Sequence, residues 1–174
     1  ELAEKVFELI EPFAGYAFNK AHSVCYAVIA YWTAYFKANY PLEYMTAVLN
    51  SRLDKQDKMV SAISECFRLG IPVLLPDVNA SQVEFTPTFD KDGKPAIRYG
   101  LAAIKNVGEL AVRPLVEARM KGGPYKSIED LCRRGGLQGM NRRTLEALVK
   151  AGAFDRLGKR GALLEALDRI LALA

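Results

Sequence analysis

"LAAIKNVGELA", residues 101–111, decides how this chain is to be read. Leu101 and Ile104 stand three apart, as on one face of a helix, and a second apolar-periodic run opens at Gly108. Between them lie Lys105, Asn106 and Val107, which read as a turn. Asn is the non-glycine residue that best tolerates the left-handed backbone such turns require, and Val107 is suited to anchor the turn between the two helices. The first N–H groups of the second helix lack a carbonyl four residues back, so they converge on one spot at the positive end of the helix dipole. Such a spot attracts a phosphate oxygen. Taken alone, an ordinary corner between two helices with a glycine cap fits the same residues.

A second stretch repeats the logic. In "LEALVKAGAFDRLGKRGALLEAL", residues 145–167, a helix through Leu145, Leu148 and Val149 meets a turn at Gly152, Ala153 and Phe154. Another helix follows, carrying Leu163, Leu167, Ile170 and Leu171, and Arg142, Arg143, Lys150, Arg156, Lys159 and Arg160 surround the turn. The first stretch resembles the helix-hairpin-helix motif, in which two helices joined by a Gly-apolar-Gly turn grip the DNA backbone without reading bases. It departs from that pattern at Asn106, where the motif has Gly, and at Pro114, which costs a helix interior about 3 kcal/mol and predicts a kinked or late-starting second helix. Two such hairpins would hold both strands of a duplex. The DNA-binding residues expected are Lys105, Asn106, Val107 and Gly108 in the first, with Gly152, Ala153, Phe154 and the six cations in the second.

Charge agrees with this placement. Residues 1–100 hold 10 Lys and Arg against 12 Asp and Glu, and residues 101–174 hold 14 against 8, so the two parts carry −2 and +6. A basic second part suits a surface that meets phosphates, although solvated helix faces look the same by count. With 51% hydrophobic residues the 174-residue chain can build a core without staples. Cys25, Cys66 and Cys132 show no metal or disulfide spacing, which predicts a reduced, cytoplasmic setting. The opening "ELAEKVFELI" reads as the middle of an amphipathic helix, so the chain is expected to be a piece of a larger protein.

Upstream, "YAFNKAHSVCYAVIAYWTAYFKANYP", residues 16–41, sets Asn19, Lys20 and His22 before a run, Val24 to Phe36, that is apolar except for Thr33. The run is too short for a bilayer, which needs about 20 such residues, so no membrane is expected as a partner. It predicts a helix enclosed by protein, with Tyr31, Trp32, Tyr35 and Phe36 in the core. Pro41 ends that helix and opens a second. A third follows in the same packet, with Asp54 or Asp57 as its cap, Met59, Ile63, Cys66 and Phe67 inward, and Gly70 as its stop. Next come a Pro-interrupted linker or extended piece, "IPVLLPDVNAS", and a hairpin made of "VEFTPTF", "DKDG" and "PAIRYG". Asp90 and Asp92 have the spacing of a two-metal pair, but Lys91, Gly93, Lys94 and Pro95 around them belong to an exposed turn. Neither a metal site nor a catalytic residue is therefore expected in this chain. Asn19, Lys20 and His22 suit an anion at a helix start; equally, Asn19 or Ser23 caps the helix and His22 is a half-buried imidazole.

"FAGYAFNKAHSVCYAVIAYWTAYFKANYPLEYMTAVL" is similar to the fingers of the C-family replicative DNA polymerases of bacteria, where G-Y-x-F-N-K-x-H precedes an aromatic-rich helix and a Y-P-x-E-[FY]-M continuation. The similarity continues through "SECFRLGIPVLLPDVNAS", "RYGLAAIKNVGE" and "NRRTLEALVKAGAFDRLG". The resemblance implies a mostly α chain: residues 1–80 from the fingers, an extended and hairpin spacer over 81–100, and a tandem helix-hairpin-helix segment over 101–174. It implies that Asn19, Lys20 and His22 face the incoming deoxynucleoside triphosphate and that primer-template duplex is the main partner. Mg²⁺ would be held by palm carboxylates outside this chain, which alone would be inactive. A sliding clamp and other replicase subunits would be partners of the intact protein. Two rival readings are a repair or recombination factor that uses the hairpins as a non-catalytic clamp, and a protein-interaction scaffold.

Overall fold

The computed structural model describes residues 1–14 and 20–173, with side chains described for 1–12 and 20–173. The chain divides into two compact units, Glu1–Tyr40 and Pro41–Ala174. The fold is mostly α with one small sheet, as the sequence implies.

The first unit holds α1, Leu2–Ala14, and α2, Lys20–Asn39. Contrary to expectation, α2 buries none of its residues: Tyr31 is 65% exposed, Trp32 55%, Tyr35 45% and Phe36 48%. The expectation took apolar composition as burial. A helix apolar around its whole circumference has no single face to seat, so it needs neighbours on every side, and this unit supplies one other helix. The aromatic rings instead meet along the helix itself, Tyr31 with Tyr35 at 6.2 Å between centroids and Phe36 with Tyr40 at 6.3 Å. Thr33, the polar interruption, donates its hydroxyl to the Ala30 carbonyl at 2.9 Å. Among the described residues no helix is long and apolar enough to cross a membrane.

The second unit has two hydrophobic lobes. In the first, α3, Pro41–Asn50, and α4, Gln56–Arg68, bury Met45, Leu49, Met59 and Cys66 against a three-stranded sheet. These two helices form their packet within the second unit, and Phe67 is 61% exposed rather than inward. Lys55 occupies the cap position of α4 with no side-chain cap, so neither Asp54 nor Asp57 fills that role. The sheet runs β1 (Val73–Leu74), β3 (Pro95–Arg98), β2 (Thr86–Phe89), with β1 parallel and β2 antiparallel to β3. The Pro-interrupted stretch thus contributes a strand. Asn50 fastens α3 to the sheet, its amide donating to the Phe85 carbonyl at 3.0 Å and accepting from the Phe85 N–H at 2.9 Å.

The second lobe is helical: α5 (Glu109–Gly122), α6 (Ile128–Arg134), α7 (Arg142–Lys150), α8 (Arg160–Glu165) and α9 (Leu167–Ala172). Ser127 caps α6 by accepting from the Asp130 N–H, and Asn141 caps α7 by accepting from the Thr144 N–H at 2.9 Å. The changeover between lobes falls near residue 100: Ala103 belongs to the first core, Leu101 and Ile104 to the second, and Tyr99 packs against both. A strap, Asp77–Ser81, joins them. Val78 sits in the second core and donates its N–H to the Ala153 carbonyl at 2.8 Å. Asn79 makes two bonds to the Tyr125 backbone, and buried Arg119 donates to the carbonyls of Val78 (2.8 Å) and Ser81 (2.5 Å).

Candidate nucleic-acid interface

The first hairpin is built as its residues require, with one difference. Leu101–Ala103 forms a single 3-10 turn rather than an α-helix, because only Ile104 and Lys105 separate it from Asn106, whose φ of 68° ends any right-handed helix. Asn106 is the single non-glycine residue with positive φ among the described residues. Val107 is 7% exposed and lies in the second core, as an anchor should. The helix α5 starts directly at Glu109 and runs unbroken through Pro114, so the proline neither delays nor ends it.

The start of that helix is open. No side chain caps it, and among the described residues nothing accepts from the N–H groups of Gly108, Glu109 and Leu110. Gly108 has φ −91° and ψ 153°, which any residue adopts, and a Cβ there would meet no atom within 4 Å. Neither backbone strain nor internal packing demands a glycine at this position. Glu109 occupies the first helical position, with its carboxylate paired to Arg113.

The second turn is built differently. Gly152 has φ 86°, and a Cβ on it would stand 2.3 Å from Arg160 Nη2, so here the fold itself demands glycine. The N–H groups of Gly152 and Ala153 donate to Val149 and Leu148 at 3.0 Å each, closing α7, and Ala153 and Phe154 are each 1% exposed. The following helix begins only at Arg160 and breaks at Ala166, between α8 and α9.

Packing brings the two stretches together. Thr144, at the start of α7, donates its hydroxyl to the Asn106 carbonyl at 3.1 Å. Asn106 then shares a surface depression of about 230 Å³ with Arg143, Glu146, Ala147 and Lys150. Thr144 was not foreseen, since it reads as an ordinary first-turn residue of a helix.

The cations divide into two sets. Arg142 pairs with Asp168 at 2.9 Å, Lys150 with Glu146 at 2.6 Å, Arg156 with Asp77 at 2.9 Å, and Arg160 grips both oxygens of Asp155 at 2.7 and 2.6 Å. The hydrogen bond from Lys150 holds the Glu146 carboxyl below its ordinary pKa, and that from Arg160 does the same for Asp155, so both acids stay ionised beside their partners. Lys105, Arg143 and Lys159 are exposed, and among the described residues no carboxylate lies in pairing distance of them. Of these, Arg143 stands beside the Asn106 turn.

Elsewhere, Lys20 and His22 lie in the first turn of α2, and Asn19 falls outside the described residues. The Asp90 and Asp92 pair does not fit a metal: Asp90 Oδ1 accepts from the N–H groups of Asp92 (2.8 Å) and Lys94 (2.9 Å), tying the carboxylate into its own turn. Among the described residues no group of three His, Cys, Asp or Glu side chains is placed to hold one.

Residues 70–163 match the family described as the helix-hairpin-helix motif. Over 100% of its length the chain is 46% identical to the DNA polymerase III subunit alpha of Escherichia coli (strain K12) and 45% identical to that of Thermus aquaticus. Over 91% of its length it is 47% identical to that of Pseudomonas aeruginosa. It covers 15%, 14% and 13% of those proteins, respectively, a small part of each.

Proposed function

Because the chain belongs to the helix-hairpin-helix family, we propose that it is the duplex-holding part of a bacterial replicative DNA polymerase, with a stretch of the fingers before it. The observation that carries the duplex contact is Gly108: a glycine that the fold does not need, at an uncapped helix start, beside the Asn106 turn and Arg143. Leaving out a side chain there lets a DNA backbone approach the free N–H groups. The likeness to the polymerase subunits extends through Glu1–Tyr40, which a bare DNA clamp would not need.

In the intact cytoplasmic enzyme the reaction is nucleotidyl transfer, with Mg²⁺ held by carboxylates elsewhere. The part of this chain is to position primer-template, and Asn19, Lys20 and His22 face the phosphates of the incoming nucleotide. A sliding clamp and other replicase subunits complete the assembly. The experiment is a fluorescence-anisotropy titration of a short duplex with the parent chain and Gly108→Val, both checked for folding by circular dichroism. Valine at φ −91° is unstrained and its Cβ meets no atom within 4 Å, so the variant should fold, and loss of a charge-assisted hydrogen bond to phosphate weakens binding by about tenfold. Equal affinity of parent and variant would end the proposal.

A further inference from the structure

The ends of the three strands wall a surface cavity of about 610 Å³, away from the Asn106 turn. Leu75 and Phe89 line it, 69% and 68% exposed, together with Asp90, Lys91, Arg98 and Arg156. Arg98 donates Nη1 to the Leu75 carbonyl at 2.9 Å, and Arg156 donates Nε to Asp77 at 2.9 Å. Each guanidinium carries five N–H donors, so most remain for a ligand. Burial holds the pKa of Arg98 below its ordinary value, and the charge of Arg156 lowers it further against the pull of Asp77. Asp77 is paired with Arg156, and Arg98 bonds a backbone carbonyl instead of a carboxylate. Asp90 also lines the cavity, and its Oδ1 is engaged with its own turn.

An exposed aromatic face next to a pair of cationic forks matches a ligand with a flat ring at one end and a phosphate at the other. We infer that this cavity seats an unpaired nucleotide, its base against Phe89 and Leu75 and its phosphate between Arg98 and Arg156. The volume is within the roughly 300–1,000 Å³ of sites that enclose one small ligand. A duplex hides its base faces, whereas an unpaired strand offers them to an aromatic platform. The site does not include the Gly108 helix start and shares only Arg156 with the cations of the second turn, so it does not rest on the reading given above.

The test titrates the 174-residue chain into a short labelled oligothymidylate and into a blunt duplex, comparing parent, Phe89→Leu, Phe89→Tyr and Lys91→Glu. Phe89 is exposed, so leucine leaves the fold in place while removing the ring. The single strand should bind Phe89→Leu about 5- to 100-fold more weakly than the parent, with Phe89→Tyr close to the parent and duplex affinity unchanged by either. Lys91→Glu should weaken the single strand as well. Competition with thymidine monophosphate separates the sources: displacement shows that a free nucleotide fills the cavity, and its failure shows that the nucleotide is seated as part of a strand. Unchanged single-strand affinity in Phe89→Leu, or equal losses for single strand and duplex, would overturn the inference.

Discussion

Arg142 and Arg143 are adjacent in sequence, and their variants should behave differently towards duplex DNA. Arg142 is engaged with Asp168 and lies 4.0 Å from Glu146, while Arg143 lines the Asn106 depression and among the described residues has no carboxylate in pairing distance. Each phosphate neutralised by a cation contributes about −0.9 to the slope of log K against log[salt]. If only Lys105, Arg143 and Lys159 engage, the parent slope is about −2.7; if the four paired cations also leave their carboxylates, it is about −6.3. A fourfold rise in salt then weakens binding by about 40-fold in the first case and about 6,000-fold in the second. Arg143→Ala should bring the slope to about −1.8, and Arg142→Ala should leave it near the parent value. Anisotropy titrations across a range of potassium chloride concentrations measure all three. A parent slope near −6, or equal reductions in the two variants, would show that phosphates displace the carboxylates and that ion pairing does not select the contacting cations.

In the intact polymerase, Lys20→Ala should raise KM for the incoming nucleotide or lower kcat by about tenfold with duplex affinity unchanged, and unaltered steady-state kinetics would return Lys20 to a solvated role. Burial pushes the Cys66 thiol up to about 11 and raises Cys132 as well, whereas Cys25 is exposed. Ellman's reagent at neutral pH should therefore find one fast thiol in the native chain and three after denaturation. The folded chain keeps a Cys66 proton that the unfolded chain releases above about 9, so stability should fall between about pH 9 and 11, by roughly 3 kcal/mol in full. Thermal melts across that range would test this, and a flat profile would contradict it.

Much of the local geometry was legible because single residues dictate it. Asn106 announced a positive φ, Gly152 a turn, and "DKDG" a turn closed by Asp90. Neighbourhood was not legible. Apolar periodicity states which face of α4 is buried but not what surrounds α2, where Trp32 stands exposed. Nor does residue type distinguish Arg143 from Arg142, because Asp168 reaches the latter from another helix. The difference between the two glycine turns was equally hidden: a Cβ on Gly152 would run into Arg160, and a Cβ on Gly108 would meet no atom of the described residues within 4 Å. One available signal was passed over: Asp77, Asn79 and Ser81 have the alternation of a side-chain-stabilised turn, and the Asp77 carboxylate does accept from the Asn79 N–H at 2.8 Å.

That strap has a consequence for synthesis. Its partners come late: Tyr125 lies 46 residues beyond Asn79, and Arg119 lies 41 beyond Val78. At roughly 5–20 residues per second, a ribosome leaves Asn79 without its partner for about 2 to 9 s. About halfway through that interval Ala103 completes the residues of the sheet lobe, Met45 to Ala103, while most of the residues that pack with Val78 are still to be made. The residues of the sheet lobe are therefore all synthesised before Arg119 and Tyr125, the partners that fasten the strap to the helical lobe.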